Sequence, residues 1–153
     1  MYRLSKKIEY ALLAMQYIAA NDNRKISAKE MAEKLNISFE FLSKTLQMLM
    51  KNGLVESHQG IRGGYTLARD PEEISVADVI HSLESKTGIV ECMDDENDDE
   101  TCGRADHCTI RTPIAQIQRK VNDVFKSTSI AELSEFIPDE QEQKYQIVEL
   151  NER

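Results

Sequence analysis

The sequence lacks the features that mark most enzymes and membrane proteins. Its apolar runs are short, and none approaches the roughly 20 residues that span a bilayer. No Ser/His/Asp or Cys/His arrangement, phosphate-binding loop or pair of catalytic carboxylates stands out, so we do not expect an enzyme. Lys6 and Lys7 precede an apolar stretch at 11–20, which resembles the start of a signal peptide. The polar residues Glu9 and Gln16 interrupt the apolar region, however, and no small-residue cleavage site follows. We therefore expect a cytoplasmic protein without a signal peptide.

Cysteine is scarce, with 3 residues among 153, and no two of them form a Cys-x-x-Cys pair. The absence of that pair argues against a zinc ribbon and against a thioredoxin-like redox site. Thiols of cytosolic proteins are generally kept reduced. We therefore expect metal ligands or redox-active thiols rather than a framework of disulfides.

Basic residues are few overall, and the net charge is −8, but the two signs are unevenly distributed. Residues 1–70 carry 11 basic and 7 acidic side chains, a net charge of +4. Residues 71–153 carry 8 and 20, a net charge of −12. A mildly basic first half joined to an acidic second half suits a DNA-binding protein with an acidic sensor region, although random local variation in an acidic protein would give a similar distribution.

Two helices are predicted in the first 35 residues. Ser5 is placed to cap a helix that runs to about Ala20 and carries an apolar stripe at helical spacing. Ser27 and Glu30 have the spacing of a capping box, in which the serine accepts from a backbone amide and the glutamate reaches back. This box predicts the start of a second, short helix.

A third helix is predicted after Ser38 and ends at Asn52-Gly53, where glycine serves as the left-handed cap. Its leucines at 42, 46 and 49 share one face. The opposite face carries side chains that could reach base edges and phosphates in a major groove, although a solvated helix face would look similar. The residues that we predict to contact DNA from this helix are Ser38, Phe39, Ser43, Lys44, Gln47 and Lys51.

A glycine-rich hairpin is predicted directly after these helices. Residues 54–57 and 65–67 alternate as strands should. The loop between them holds three glycines in five residues, and Arg62 projects from it. We predict a wing whose Arg62 enters the minor groove. The fold class is therefore mainly α with a small β-hairpin, the plan of a winged helix-turn-helix.

These segments resemble the Rrf-type family of bacterial winged-helix transcription regulators. The resemblance rests on residues 54–57 and 60–69 in the wing, 4–5 and 10–12 near the start, and 74–80 further on. It covers roughly residues 2–137. The family includes the iron–sulfur cluster regulator and the nitric-oxide-sensing repressor. Many members carry a basic residue just before the first wing glycine, where this chain has Gln59.

The resemblance implies a homodimeric regulator or repressor that binds a palindromic operator in double-stranded DNA, without a membrane partner. A long helix is predicted from Thr112-Pro113, with Pro at the first helical position and an apolar three-four repeat after it. In the family the equivalent helix is the dimer contact. The predicted division is 1–84 for the DNA-binding domain, 85–112 for a cysteine-bearing sensor loop, 113–137 for the dimerisation helix with a short capping helix, and 138–153 for a polar tail.

Three thiolates in one loop could hold a cluster of iron and sulfide. The predicted ligands are Cys92, Cys102 and Cys108, and the cluster is expected to be [2Fe-2S] or [4Fe-4S]. The fourth ligand must then be something other than cysteine. His107 beside Cys108 is one candidate, and Glu9, which aligns with a position where relatives supply a carboxylate from the partner subunit, is the other.

The gap between the first two cysteines contains an acidic insertion, Asp94–Glu100, whereas cluster-binding members usually space their cysteines more closely and evenly. Its carboxylates have partly EF-hand-like offsets, but Glu100 occupies the position that requires glycine. We expect a solvated acidic segment rather than a calcium loop. The alternative to a cluster is a winged-helix regulator that responds through thiols, another metal or a protein partner.

Overall fold

The computed structural model of the protein describes residues 3–85, 87–90 and 107–136. Within those residues it contains six α-helices and a two-stranded antiparallel sheet, which confirms the predicted fold class. A 3-10 turn, Pro71–Glu73, follows the sheet. The elements are α1 (Lys6–Ala20), α2 (Ala28–Lys34), α3 (Phe39–Lys51), β1 (Val55–His58), β2 (Gly64–Leu67), α4 (Val76–Leu83), α5 (Arg111–Ser127) and α6 (Ile130–Glu135).

Helix α1 forms the centre of the core and begins where the sequence predicts. The Ser5 hydroxyl accepts from the Ile8 amide at 3.4 Å, which satisfies one amide of the first turn. Ile8, Ala11 and Met15 are buried beneath α3, α4 and α6. The apolar stripe predicted for the first helix therefore forms part of the hydrophobic core.

Helices α2 and α3 form the helix-turn-helix. The Ser27 hydroxyl accepts from the Glu30 amide at 3.1 Å, as predicted. The other half of the predicted capping box is replaced, because the Glu30 carboxylate accepts from Arg24 at 2.5 and 2.9 Å and from Tyr17 at 3.2 Å. Asn36 adopts a φ of +51° in the turn, a conformation that asparagine tolerates better than most residues.

The hairpin follows α3 through Gly53, whose φ of +70° confirms the predicted left-handed cap. Strand β1 begins at Val55 and β2 at Gly64, each one residue from the predicted start. The register pairs Val55 with Leu67 and His58 with Gly64. The strands are short, so the hairpin depends on packing elsewhere for its stability.

That packing comes from the linker between α1 and α2. The Ile26 amide donates to the Tyr65 carbonyl at 3.1 Å, and the Tyr65 amide donates back at 2.8 Å. A Cβ atom on Gly64 would lie 2.7 Å from the Ile26 carbonyl carbon and oxygen, so this close approach requires glycine. The linker therefore fixes the hairpin against the helix-turn-helix.

The spacing of Ser75 and Asp78 in the sequence predicts a capping box, and α4 opens with the complete box, in which each side chain accepts from the other residue's amide. The sequence Lys86-Thr87-Gly88 predicts the end of this helix, but α4 already ends at Leu83. Helix α5 begins at Arg111, so Pro113 is its third residue rather than its first. Proline is still tolerated there because the first amides of a helix have no intrahelical acceptor.

Helix α6 closes the core from the far side of α1. Ser129 caps it, as the spacing of Ser129 and Glu132 in the sequence predicts, and Ile130 is fully buried. The Ile130 amide donates to the Ile74 carbonyl at 2.8 Å, and Val76 donates to Thr128 at 2.9 Å. Cys92, Cys102, the acidic insertion and the polar tail 138–153 lie outside the described residues.

Candidate DNA-binding surface and cysteine segment

Helix α3 presents one face to the core and the opposite face to solvent. Leu42, Leu46 and Leu49 are fully buried, and Thr45 is buried with its hydroxyl donating to the Phe41 carbonyl at 3.0 Å. At 100° per residue, the direction opposite these side chains falls among four exposed polar residues. We call this set the outer face of α3: Glu40, Lys44, Gln47 and Lys51.

The residues predicted to contact DNA fall on two parts of this surface. Lys44, Gln47 and Lys51 are exposed at the centre of the outer face. Ser43 is half-buried at its edge. Phe39 precedes Leu46 by seven residues and therefore lies on the leucine side of the helix, where 56% of its surface is exposed at the first turn. The structure thus groups Lys44, Gln47 and Lys51, with Ser43 at their edge and Phe39 apart from them.

Ser38 occupies the N-cap position of α3, but its side chain makes no capping hydrogen bond among the described residues. Its exposed hydroxyl therefore differs from those of Ser5, Ser27 and Ser75, which all accept from a helix amide. A hydroxyl that is not used to cap its own helix is available to an incoming acceptor or donor.

Arg62 is exposed in the loop of the hairpin, as the sequence predicts. Gly60 has a φ of +112°, and a Cβ on Gly63 would lie 2.3 Å from the His58 carbonyl oxygen, so the tight loop depends on both glycines. Behind the loop, the His58 ring nitrogen lies 2.8 Å from the Thr66 hydroxyl across the two strands. The guanidinium is therefore carried on a loop with a fixed base.

Two ion pairs shape the electrostatics of this surface. Lys44 donates to the Glu40 carboxylate at 2.9 Å, and this hydrogen bond, with the lysine charge, lowers the pKa of Glu40. Hydrogen bonds from Arg24 and then Tyr17 lower the pKa of Glu30, while burial acts in the opposite direction. Both carboxylates are ionised at neutral pH.

Glu40 is the residue of this surface that the sequence reading did not include among the DNA contacts. It lies on the polar face predicted for α3, and its position four residues before Lys44 could have identified it, because i,i+4 side chains are neighbours on a helix. The Ile26–Tyr65 bridge was also missed, since a single paired residue leaves no alternation in the sequence.

The described part of the cysteine segment contains one of the three predicted thiolates. Cys108 is a free, half-buried thiol that lies three residues before the start of α5. His107 beside it is exposed. Glu9 lies in the first turn of α1, where Lys6 donates to its carboxylate at 2.8 Å. Among the described residues, no three His, Cys, Asp or Glu side chains are grouped so as to hold a metal ion.

The side chain of Gln118 joins α5 to the start of the cysteine segment. Its Oε1 accepts from the Ile89 amide at 2.6 Å, and its Nε2 lies 3.3 Å from the Thr87 carbonyl, to which it donates. The same Nε2 donates to Asn122 Oδ1 at 2.9 Å. One side chain thus holds two backbone positions, in the way that a neighbouring strand would. The sequence gives no periodic signal for such a contact.

Helix α5 carries apolar side chains that the described chain does not cover. None of its residues is buried. Ile117 is 48% exposed and Val124 60% exposed, with Ile114 and Val121 half-buried on the same side. Elsewhere on the molecule, Leu12, Leu13 and Leu133 line an open groove of about 870 Å³ between α1 and α6. Exposed apolar surface of this kind marks an interaction site.

Residues 4–135 match the Rrf2 family, described as iron-dependent transcriptional regulators. The HTH-type transcriptional regulator IscR of Serratia proteamaculans is 30% identical over 132 residues, which cover 86% of this chain and 78% of that protein. NsrR of Shouchella clausii, also an HTH-type transcriptional regulator, is 35% identical over 101 residues, 65% of this chain and 66% of its own length.

Among solved structures, CymR, the global cysteine regulator of B. subtilis, is similar with a TM-score of 0.71 and 27% identity. That similarity covers 90% of this chain and 100% of the CymR chain. No helix in the described part of the molecule is both long and apolar enough to cross a membrane.

Proposed function

The chain belongs to the Rrf2 family of DNA-binding transcription regulators, and from that premise we propose that it reads a palindromic operator as a homodimer. In each subunit α3 enters a major groove, and Arg62 reaches the adjacent minor groove from the wing. The contacting residues are Ser38, Phe39, Ser43, Lys44, Gln47, Lys51 and Arg62.

The observation that carries this proposal is the orientation of α3. Its apolar face is fully buried, so its outer face is the surface that a duplex would meet. Ile26 and Tyr65 join the wing to the helix-turn-helix through two backbone hydrogen bonds, which sets the position of Arg62 relative to α3. A helix and a loop held in this way can contact adjoining grooves together.

The exposed apolar side of α5 supports the dimer. Ile117 and Val124 would be covered by the same residues of a second copy, as in a two-fold symmetric contact. Two helix-turn-helix units joined in this way read half-sites one helical turn apart, about 34–36 Å. Residues 113–137 therefore serve as the dimerisation segment and residues 1–84 as the DNA-binding domain.

For the signal we propose an iron–sulfur cluster held by Cys92, Cys102 and Cys108, with His107 or the partner subunit's Glu9 as the fourth ligand. The donor chemistry fits, because thiolates are the usual ligands of these clusters and Cys108 is an unpaired thiol beside an exposed imidazole. A bound cluster would supply a centre sensitive to oxidants, nitric oxide or loss of iron. Gln118 binds the backbone at Ile89, and Cys108 lies three residues before α5, which supports a route for the signal through α5 to the dimer.

The second candidate is a regulator without a cluster that responds through its thiols. The structural similarity to CymR, the global cysteine regulator of B. subtilis, favours this alternative. In that case Cys108 would be the reactive group among the described residues, since it is free and partly accessible.

Anaerobic purification from cells supplied with iron and sulfide separates the two candidates. Visible absorption together with stoichiometric iron and acid-labile sulfide would support the cluster, and substitution of Cys108 by Ser should abolish it. A colourless protein without iron would support the thiol-based regulator. DNA affinity of the holo and apo forms, measured at one salt concentration, then tests whether the centre controls binding.

DNA binding itself is tested with Lys51→Ala, and with Lys126→Ala near the end of α5 as the matched control. If Lys51 contacts a phosphate, the variant should weaken binding to all duplexes and reduce the salt slope by about 0.9. Lys126→Ala should leave both unchanged. Equal salt slopes for wild type and Lys51→Ala would contradict the proposed orientation of α3.

A further inference from the structure

We propose that Glu40 and Lys44 together recognise one G·C base pair. In this pairing Glu40 accepts from the N4 amine of cytosine, and Lys44 donates to O6 and N7 of guanine. The inference rests on the proposed function, because it requires α3 to lie in a major groove. It adds the chemical identity of the base pair and assigns a role to Glu40.

The position of Glu40 is the first support. It is the second residue of α3 and lies at the centre of the outer face, opposite Leu42 and Leu46. The N-terminal residues of a recognition helix are the ones that contact base edges. A carboxylate at this place faces the bases, whereas Lys51, at the other end of α3, is better placed for the DNA backbone.

The spacing of the two side chains is the second support. Glu40 Oε1 lies 2.9 Å from Lys44 Nζ, so an acceptor and a donor are held side by side at hydrogen-bond distance. Cytosine N4 and guanine O6 also lie side by side in the major groove, because they pair with each other. The donor and acceptor order of the protein pair therefore complements that of the base pair.

Charge is the third support. A lone carboxylate in the groove would be repelled by the phosphates and by the acceptor atoms of guanine and thymine. Lys44 neutralises Glu40 locally, so the pair as a whole can approach the duplex. Both side chains remain largely exposed in the free protein, Glu40 at 81% and Lys44 at 72%, and a duplex can therefore reach them directly.

This arrangement favours G·C over A·T for a geometric reason. Guanine presents two adjacent acceptors, which a single ammonium can bridge, and cytosine presents the donor that the carboxylate needs. In an A·T pair the one donor, adenine N6, lies between two acceptors. The ammonium then reaches only one of them, and the carboxylate lies beside the other.

The test is selection of duplexes from a randomised pool by the full-length wild type, by Glu40→Gln and by Glu135→Gln. Glu135 is an exposed carboxylate at the end of α6, so its variant makes the same change of charge away from α3. Because an exposed i,i+4 ion pair adds little to stability, circular dichroism should show all three proteins equally folded.

We expect the wild type and Glu135→Gln to enrich a G·C pair at one position of each half-site. Glu40→Gln should lose that preference by about 5- to 150-fold, the range that one good base contact supplies, and favour A·T there, since an amide pairs with adenine. Unchanged preferences at every position in Glu40→Gln would overturn the inference, as would an equal change in affinity for all duplexes. Failure of the wild type to select any sequence would overturn the proposed function as well.

Discussion

At the scale of single residues, Gly64 is one of two hairpin glycines, with Gly63, that leave no room for a Cβ atom. Substitution by alanine would place a Cβ 2.7 Å from the backbone of Ile26, where no flexible side chain can move aside. We expect Gly64→Ala to lower the free energy of unfolding by about 1–3 kcal/mol, the usual cost of overpacking. Chemical denaturation measures this loss, with Ser57→Ala on the exposed part of β1 as the control. Faster hydrogen exchange at the Tyr65 amide should accompany it, and unchanged exchange would contradict the close contact.

Glu30 gives the domain a defined dependence on pH. Hydrogen bonds from Arg24 and Tyr17 hold its pKa below the ordinary value of 4.5, so its stabilising effect is present above pH 4.5 and is lost as the pH falls through the folded-state pKa. Glu30→Gln should therefore lower stability most at about pH 7, and the difference from wild type should shrink as the pH falls below 4.5. Unfolding curves of wild type and Glu30→Gln across this range test the prediction, and Glu33→Gln in the same helix is the control. A difference that stays constant with pH would show that the carboxylate charge is not involved.

At the scale of secondary-structure elements, Gln118 is the contact that links α5 to the cysteine segment. Because it accepts from the Ile89 amide at 2.6 Å, Gln118→Ala should expose that amide and accelerate its hydrogen exchange by at least the factor of about 5 that a hydrogen bond of 1 kcal/mol implies. Exchange at the Ile114 amide, which donates to Ile110 within the first turn of α5, should be unaffected. Equal rates at Ile89 in both proteins would show that the segment is held by other contacts.

The apolar side of α5 is the second feature at this scale. Ile117→Glu would place a charge in the proposed dimer contact, and such a buried unpaired charge is costly. We expect the variant to become monomeric at micromolar concentration, as measured by analytical ultracentrifugation, and to lose operator binding. Lys126→Gln changes the net charge by the same amount at an exposed position nine residues on, on the opposite side of α5, and should remain dimeric. A dimeric Ile117→Glu would move the interface elsewhere.

Elements with a local physical signal were predictable from the sequence. The caps at Ser5, Ser27 and Ser75 and the glycine at 53 each depend on a residue and its near neighbours, and the structure has all four. The start of α5 was displaced by two residues, because proline is tolerated throughout the first turn. The partner of the Glu30 carboxylate was not predictable, since Arg24 competes with the helix amide from outside the capping motif.

At the scale of the whole molecule, the family and the fold class followed from the wing and the tandem helices, and the match over residues 4–135 confirms both. Long-range contacts did not follow. Lys7 of α1 donates to the Leu83 carbonyl at 2.5 Å, and Gln16 donates to Leu133 at 2.5 Å, across 76 and 117 residues of sequence. Pairings of this kind depend on how the helices pack, which a one-dimensional pattern does not record. The ligand set of the sensor and the dimer contact stay predictions.

The bridge between Ile26 and Tyr65 has a consequence for how an inducing signal could act. The bridge joins the wing and the helix-turn-helix into one rigid unit, which packs on the same core as α1. A change in the cysteine segment, passed on by α5, would then displace each piece as a unit and leave its internal shape intact. The forms of the protein with and without the signal should consequently favour the same bases within each half-site. They should differ in the spacing and relative rotation of the two half-sites to which they bind.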